Sequence, residues 1–416
     1  MTTRRMRTAA WVGMTLAALA VAMPPAALRA GPPTAGRGAN LWSVPPAARA
    51  ADLPVPVRKL IAVEGKGYLE TVDGYRVLHL KGTPAEMGRQ HGKLLKQLIR
   101  DNVNFLLRGR EGSDPRKVEL DAGTLARMAA ATLLNSAFQK QVPQRFMDEM
   151  KALAEGADMP FPQVLAANLI PEAFHCSGFA LLKEATACGQ VLHGRVLDYG
   201  VALRLQERAV LIIQEPNGRQ PFVNVSYAGF IGSVTGMNAA GVSIGEMGGG
   251  GTGRWHGVPM SFLVRMVLEE AVTLDQAVGV FQDNPRTCEY YYVIADARAN
   301  RAVGMKAVPE KVELVQPGQA HPLLPRAVPS AVVLSAGSRY QALSKLVQAG
   351  CGTFTPESAI RLMDAPVAMK SNLHDALMVP GLGVLYVANA GPKGEPAWKQ
   401  TYHRFDMREL TGKRPE

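Results

Sequence analysis

The chain has 416 residues, of which 47% are hydrophobic and 19% charged, the composition of a globular protein with ample material for a core. Its formal net charge of +11 comes without a basic run interleaved with aromatics, which argues against nucleic-acid binding and leaves a solvated surface or mild attraction to anions. No H-E-x-x-H, paired C-x-x-C or EF-hand spacing is present, so no metal or other cofactor is expected.

In chain order, residues 1–30 carry Arg4, Arg5 and Arg7, an apolar alanine-rich stretch and then small residues and prolines, the pattern of a secretory signal peptide. The apolar run is too short for a stable membrane span, and export to the periplasm or the extracellular space is the expectation. Removing its four arginines lowers the formal charge from +11 to +7. Residues 31–56 are rich in Pro, Ala and Gly and read as a linker. From Val57 to His175 the pattern is mainly helical with a short β entry. Tyr68–Val72 and Tyr75–Leu80 flank an Asp73-Gly74 turn, and Thr83-Pro84-Ala85-Glu86 supplies a capping box. Further helices are expected over Thr124–Gln139 and Gln144–Glu155. His91 reads as a capping or packing histidine.

The next stretch organises the rest: Phe174-His175-Cys176-Ser177-Gly178-Phe179, a break at Ala187-Cys188-Gly189, then Gly194-Arg195-Val196-Leu197-Asp198-Tyr199. Read as a hairpin centred near Ala187, it sets Cys176 opposite Asp198. A thiol, a carboxylate and Arg195 then converge at one end of a sheet. Positive charge favours the thiolate, which is the nucleophile; the competing reading is a buried strand cysteine acting as a small hydrophobe. Arg195 and Asp198 lie three apart, so both reach Cys176 only if the strand ends or bulges between them.

Beyond it, strands are expected over Ala209–Ile213, Phe222–Tyr227, Ser233–Asn238, Gly241–Gly245 and Tyr290–Ala295, and helices over Met260–Ala271, Leu274–Phe281 and Arg339–Gln348. This is an α+β pattern. Gly241-Val242-Ser243-Ile244-Gly245 matches the G-x-S-x-G elbow of serine hydrolases, but Ser243 falls inside a strand and no helix follows directly. Gly248, Gly250 and Gly253 satisfy G-x-G-x-x-G without the helix start a dinucleotide site needs, and read as a mobile loop.

Cys176-Ser177-Gly178-Phe179 and Gly194–Tyr199, with the Gly82–Leu95 and Glu149–Ala157 segments, resemble the autoproteolytic N-terminal-nucleophile (Ntn) hydrolases, in particular the isopenicillin N acyltransferase family, with choloylglycine hydrolases and acid amidases as cousins. The resemblance extends from about Gly82 onward. It implies a four-layer αββα sandwich and self-cleavage between His175 and Cys176, giving an N-terminal segment (57–175) and a catalytic segment (176–416) that stay associated. It implies that Cys176 attacks an N-acyl substrate with its new α-amino group as base, that Arg195 and Asp198 assist, and that Asn238 helps form the oxyanion hole. Asn238 otherwise reads as shaping a turn before Gly241. Ser338 and Arg339 resemble a pair near the nucleophile that binds substrate. Hydrolysis of a linear amide is the expected reaction, with acyl transfer to an amine, lipid or phospholipid acyl hydrolysis, and a Ser243 esterase as alternatives. With Cys176 a nucleophile, Cys188, Cys288 and Cys351 allow at most one disulfide.

Overall fold

Asp73 and Gly74 both take positive φ, 48° and 82°, and close the antiparallel hairpin of β2 (Gly67–Val72) and β3 (Tyr75–Gly82), with β1 (Arg58–Glu64) added outside β2. The computed structural model describes residues 40–43, 55–108, 140–169, 176–250, 254, 256–412 and 414–415, and Arg37–Glu416 make one compact unit. The signal peptide, most of the linker, the helix expected over Thr124–Gln139 and His175 lie outside the described residues.

Helix α1 (Pro84–Leu94) starts on the expected capping box, in which the Thr83 side chain accepts from the Glu86 backbone and the Glu86 side chain from the Thr83 backbone. It is followed by α2 (Lys96–Arg108), α3 (Gln144–Ala157) and α4 (Phe161–Asn168). After Cys176 come β4 (Ser177–Leu181), β5 (Leu192–Leu197), β6 (Ala209–Pro216), β7 (Phe222–Tyr227), β8 (Thr235–Asn238) and β9 (Val242–Met247). Then follow α5 (Met260–Glu270), α6 (Leu274–Asp283), β10 (Tyr290–Asp296), β11 (Arg301–Ala307), β12 (Val312–Val315) and β13 (Ala331–Leu334). The chain closes through α7 (Gly337–Ala349), α8 (Pro356–Ile360), β14 (His374–Val379), β15 (Val384–Asn389) and β16 (His403–Asp406).

These strands form a ten-stranded sheet, β1-β2-β3-β6-β7-β8-β9-β10-β11-β12, and a six-stranded sheet, β13-β4-β5-β14-β15-β16. Every pairing is antiparallel except β3 with β6. The sheets face each other through β4, β5 and β13 against β9, β10 and β11. Helices α1, α5 and α6 cover the outer face of the larger sheet and α7 and α8 that of the smaller. The architecture is therefore the four-layer αββα sandwich. Alternation on β4 shows why it holds: Phe179 and Leu181 face the α7 side, while Ala180 enters the apolar layer between the sheets with Met247 and Val293.

The β entry of the mainly helical segment before Cys176 is three strands, which extend the ten-stranded sheet, with β3 pairing along β6. Strand β1, at the edge of the sheet, alternates between half-buried and exposed residues and carries a bulge between Leu60 and Ala62.

Candidate active site

Strand β4 begins one residue after Cys176, so the thiol sits at the mouth of the inter-sheet layer, 5% exposed. The connection from β4 to β5 is longer than a tight hairpin and includes a 3-10 turn at Lys183–Ala185. Its register pairs Ser177 with Val196 and Gly178 with Arg195, one residue away from the register expected. Strand β5 ends at Leu197. Asp198 therefore lies past the strand, where parity no longer separates it from Arg195, and the conflict in the sequence disappears.

The Arg195 side chain is fully buried between the sheets, where its Nη2 lies 3.5 Å from Glu246 Oε2 and its Nη1 donates to the Val196 carbonyl. A Cβ on Gly245 would lie 3.1 Å from Arg195 Cδ, so that glycine makes room for the guanidinium. Asp198 is held from the other side. It accepts from Arg339 Nη1 at 2.5 Å and from the Met369 backbone N–H at 2.9 Å. Burial pushes its carboxyl up to about 6, opposed by the Met369 hydrogen bond and by the charges of Arg339 and Arg195. Burial also raises the Cys176 thiol, against the lowering effect of Arg195 and of a backbone hydrogen bond from Gly248. Such a thiol needs a base to ionise it.

Cys176 is shared by two cavities. One, about 730 Å³, is lined by Leu197, Leu205, Val225, Tyr227, Phe230 and Val234, with Glu246 at its wall. The other, about 1170 Å³, has an apolar floor that includes Met247, Met305 and Leu334 and a polar side carrying Glu289, Lys306, Glu313 and His321. Lys306 pairs with Glu289 at 3.2 Å, and the Tyr291 hydroxyl donates to the same carboxylate. Among the described residues no group of His, Cys, Asp and Glu is placed to hold a metal ion.

The structure thus gathers Cys176, Arg195, Asp198 and Arg339, and leaves two expected residues aside. Asn238 is fully buried, and its Nδ2 donates to the carbonyls of Leu268 and Ala271 while its Oδ1 accepts from the N–H groups of Ala240 and Val242. It lines neither cavity. The turn-shaping role before Gly241 (φ 90°) is the one it performs. Ser338 is exposed in the first turn of α7, and Ser335, just beyond β13, borders the cleft instead.

Ser243 is completely buried on β9, hydrogen-bonded at 2.8 Å to Nδ1 of the equally buried His193. No substrate reaches it there. The G-x-S-x-G pattern has structural reasons: a positive-φ turn at Gly241, a partner for His193 at Ser243 and room for Arg195 at Gly245. Glu246 is the site residue the sequence reading missed. Its signal was a lone carboxylate in an otherwise apolar strand, which calls for a buried partner. All four cysteines are free, Cys188 and Cys351 exposed and Cys288 buried.

A family model, acyl-coenzyme A:6-aminopenicillanic acid acyl-transferase, matches residues 190–321, a span that includes Arg195, Asp198 and Glu246. Over those residues, about a third of its length, the chain is similar to that acyl-transferase family. It is 26% identical over 400 residues to protein dcd1B of Dictyostelium discoideum, covering 86% of this chain and 80% of that protein. Mouse N-acylethanolamine-hydrolyzing acid amidase is 23% identical over 172 residues, 39% of this chain and 47% of the amidase. An uncharacterised Archaeoglobus fulgidus protein matches at 27% identity over 58% of this chain, which spans 44% of its length. Among solved structures, the Caenorhabditis elegans N-acylethanolamine-hydrolyzing acid amidase ortholog matches with a TM-score of 0.38 and 19% identity over 50% of this chain and 94% of its own. Penicillin V acylase from Agrobacterium tumefaciens matches with a TM-score of 0.39 and 13% identity, over 56% and 86%.

Proposed function

We propose that the protein is a self-processing, exported cysteine hydrolase that cleaves the linear amide of an N-acyl small molecule through a thioester. The observation that carries this reading is the position of Cys176 at the junction of an apolar cavity and a polar-sided cleft, with Arg195 and the Asp198–Arg339 pair around it. An acyl chain suits the first cavity and a polar amine the second. Cleavage between His175 and Cys176 would give the thiol its own α-amino group, whose ordinary pKa near 8 lets it take the thiol proton at neutral pH. The sulfur then attacks the acyl carbon, the amine nitrogen leaves with that proton, and water releases the acid. Water in vast excess outside the cell favours hydrolysis over transfer to an amine. After cleavage the two segments stay associated, because strands from both share one sheet.

Intact-mass measurement of the purified protein should find a fragment beginning at Cys176 and ending at Glu416. A single chain that nevertheless cleaves amides would contradict self-processing. A panel of N-acyl amides offered with and without hydroxylamine should yield free acid at a rate the added amine hardly changes. Product formed only when hydroxylamine is present would make the enzyme a transferase.

A further inference from the structure

Resting on the thioester reading, we infer that the Ser335 hydroxyl is the side-chain donor to the oxyanion, the role that Asn238 cannot fill. Both ends of the Asn238 amide are already committed to backbone groups outside the cavities. Ser335 is the first residue beyond β13, whose register sets Leu334 against Gly178. It therefore comes alongside Ser177, the residue next to the nucleophile, and its Oγ lies 2.6 Å from Ser177 Oγ. It borders the same cleft as Cys176 and Gly248.

A hydroxyl carries one proton and two lone pairs. Arg339 Nη1, which also binds Asp198, donates to Ser177 Oγ at 3.3 Å; either hydroxyl of the Ser177–Ser335 pair can donate to the other, and in the proposed state Ser177 donates its hydrogen bond to Ser335. The Ser335 proton is then left for the cleft, at the end of a chain polarised by a guanidinium. Ala336 and Gly337 line the same cleft at the start of α7, so the positive end of that helix borders the place where charge develops.

When the sulfur–carbon bond forms, the carbonyl π pair moves onto oxygen and Ser335 donates a hydrogen bond to it without surrendering its proton. Collapse restores the carbonyl and breaks the carbon–nitrogen bond, and the nitrogen takes the proton that the α-amine took from the thiol. The arrangement also gives Arg339 a second task. It holds Asp198 with one contact and orients the Ser177–Ser335 pair with another, which is why a residue on α7 belongs to the site.

The test compares Ser335→Ala, Ser335→Thr and Cys176→Ala, using acyl-7-amino-4-methylcoumarin amides from octanoyl to hexadecanoyl and counting the fraction of chains that begin at Cys176. In processed protein, Ser335→Ala should lose about 100-fold to 1000-fold in kcat with little change in KM, and Ser335→Thr, which keeps the hydroxyl, should recover most of it. Self-cleavage passes through the same kind of oxyanion, so a Ser335→Ala chain that fails to process while Ser335→Thr processes also supports the assignment. A kcat for Ser335→Ala within threefold of the parent, or equal failure of both variants at unchanged Tm, overturns it. Retained turnover in Cys176→Ala would instead remove the thioester reading itself.

Discussion

Asp198 and Asp375 show how differently two buried carboxylates are treated in one sheet. Asp198 lies beyond the end of β5 and is met by Arg339 and the Met369 N–H. Asp375, inside β14, accepts from neutral donors among the described residues, Asn372 Nδ2 at 2.9 Å and the Tyr402 hydroxyl at 3.0 Å. Burial pushes its carboxyl from the ordinary 3.8 up to about 8, with those two hydrogen bonds acting in the opposite direction. A carboxyl whose folded pKa is raised binds its proton more tightly in the native state. Its contribution to stability is fully present below about pH 4 and is lost as pH rises through about 8. Asp375→Asn keeps the size and both partners but cannot ionise. Its Tm relative to the parent should therefore be higher at pH 9 than at pH 5 in thermal melts, and an identical difference at the two pH values would show that Asp375 does not titrate in this range.

At the scale of elements, the two helical segments that carry the family likeness before Cys176 are α1 and α3, and they pack on one another through glycines. A Cβ on Gly88 would lie 2.1 Å from the Glu149 carbonyl oxygen, one on Gly92 2.4 Å from that of Leu153, and one on Gly156 2.8 Å from that of Arg89. Backbone on the opposing helix cannot move aside as a side chain can. His91 lies on the same helix, fully buried, and accepts from the Gly229 N–H at 3.1 Å, so it is a packing residue as expected. Gly88→Ala should cost about 2 to 3 kcal/mol by overpacking. Gly279→Ala should instead gain about 0.5 to 1 kcal/mol from helix propensity, because in α6 the added methyl meets only the Asp283 carboxylate, at 3.8 Å. Denaturant unfolding of the two variants reads both signs, and equal effects would contradict the α1–α3 contact.

At the scale of the molecule, the segments before and after Cys176 are joined by a buried charge network as well as by a shared sheet. Arg265 on α5 donates to both oxygens of Glu149 on α3, at 2.9 and 2.6 Å, and to Glu269 at 2.9 Å, with the Ile231 carbonyl as a further acceptor. Both Arg265 and Glu149 are essentially excluded from solvent, so salt does not screen the pair. Fragments produced at Cys176 should co-elute in about 1 M salt and separate only on unfolding. Glu149→Ala should destabilise by about 3 kcal/mol, because it removes both bonds of the two-pronged pair and leaves the buried guanidinium to Glu269, which Arg145 also holds. Gel filtration that separates the fragments in salt alone, or a Glu149→Ala variant of parental stability, would refute this account.

Local patterns determined what depends on neighbours in the chain. The capping box at Thr83, the Asp73-Gly74 turn, the bounds of α5, α6 and β7 and the small residues around Cys176 are all written in residues a few positions apart, whose spacing sets backbone geometry. The approach of Cys176 to Arg195 and Asp198 was legible too, because one strand connection brings them together, although the longer turn moved the register by one residue. Only the tertiary structure decided the rest. Asn238 and Ser243 look like chemistry in the sequence, but their polar atoms are consumed by α5, by the turn at Ala240 and by His193. Arg339 reaches Asp198 across 141 residues, Glu246 reaches Arg195 across 51, and Ser335 reaches Ser177 across 158. Such pairings follow from which strands lie side by side and how two sheets stack, and buried strands read as continuous apolar runs that carry no mark of their partners.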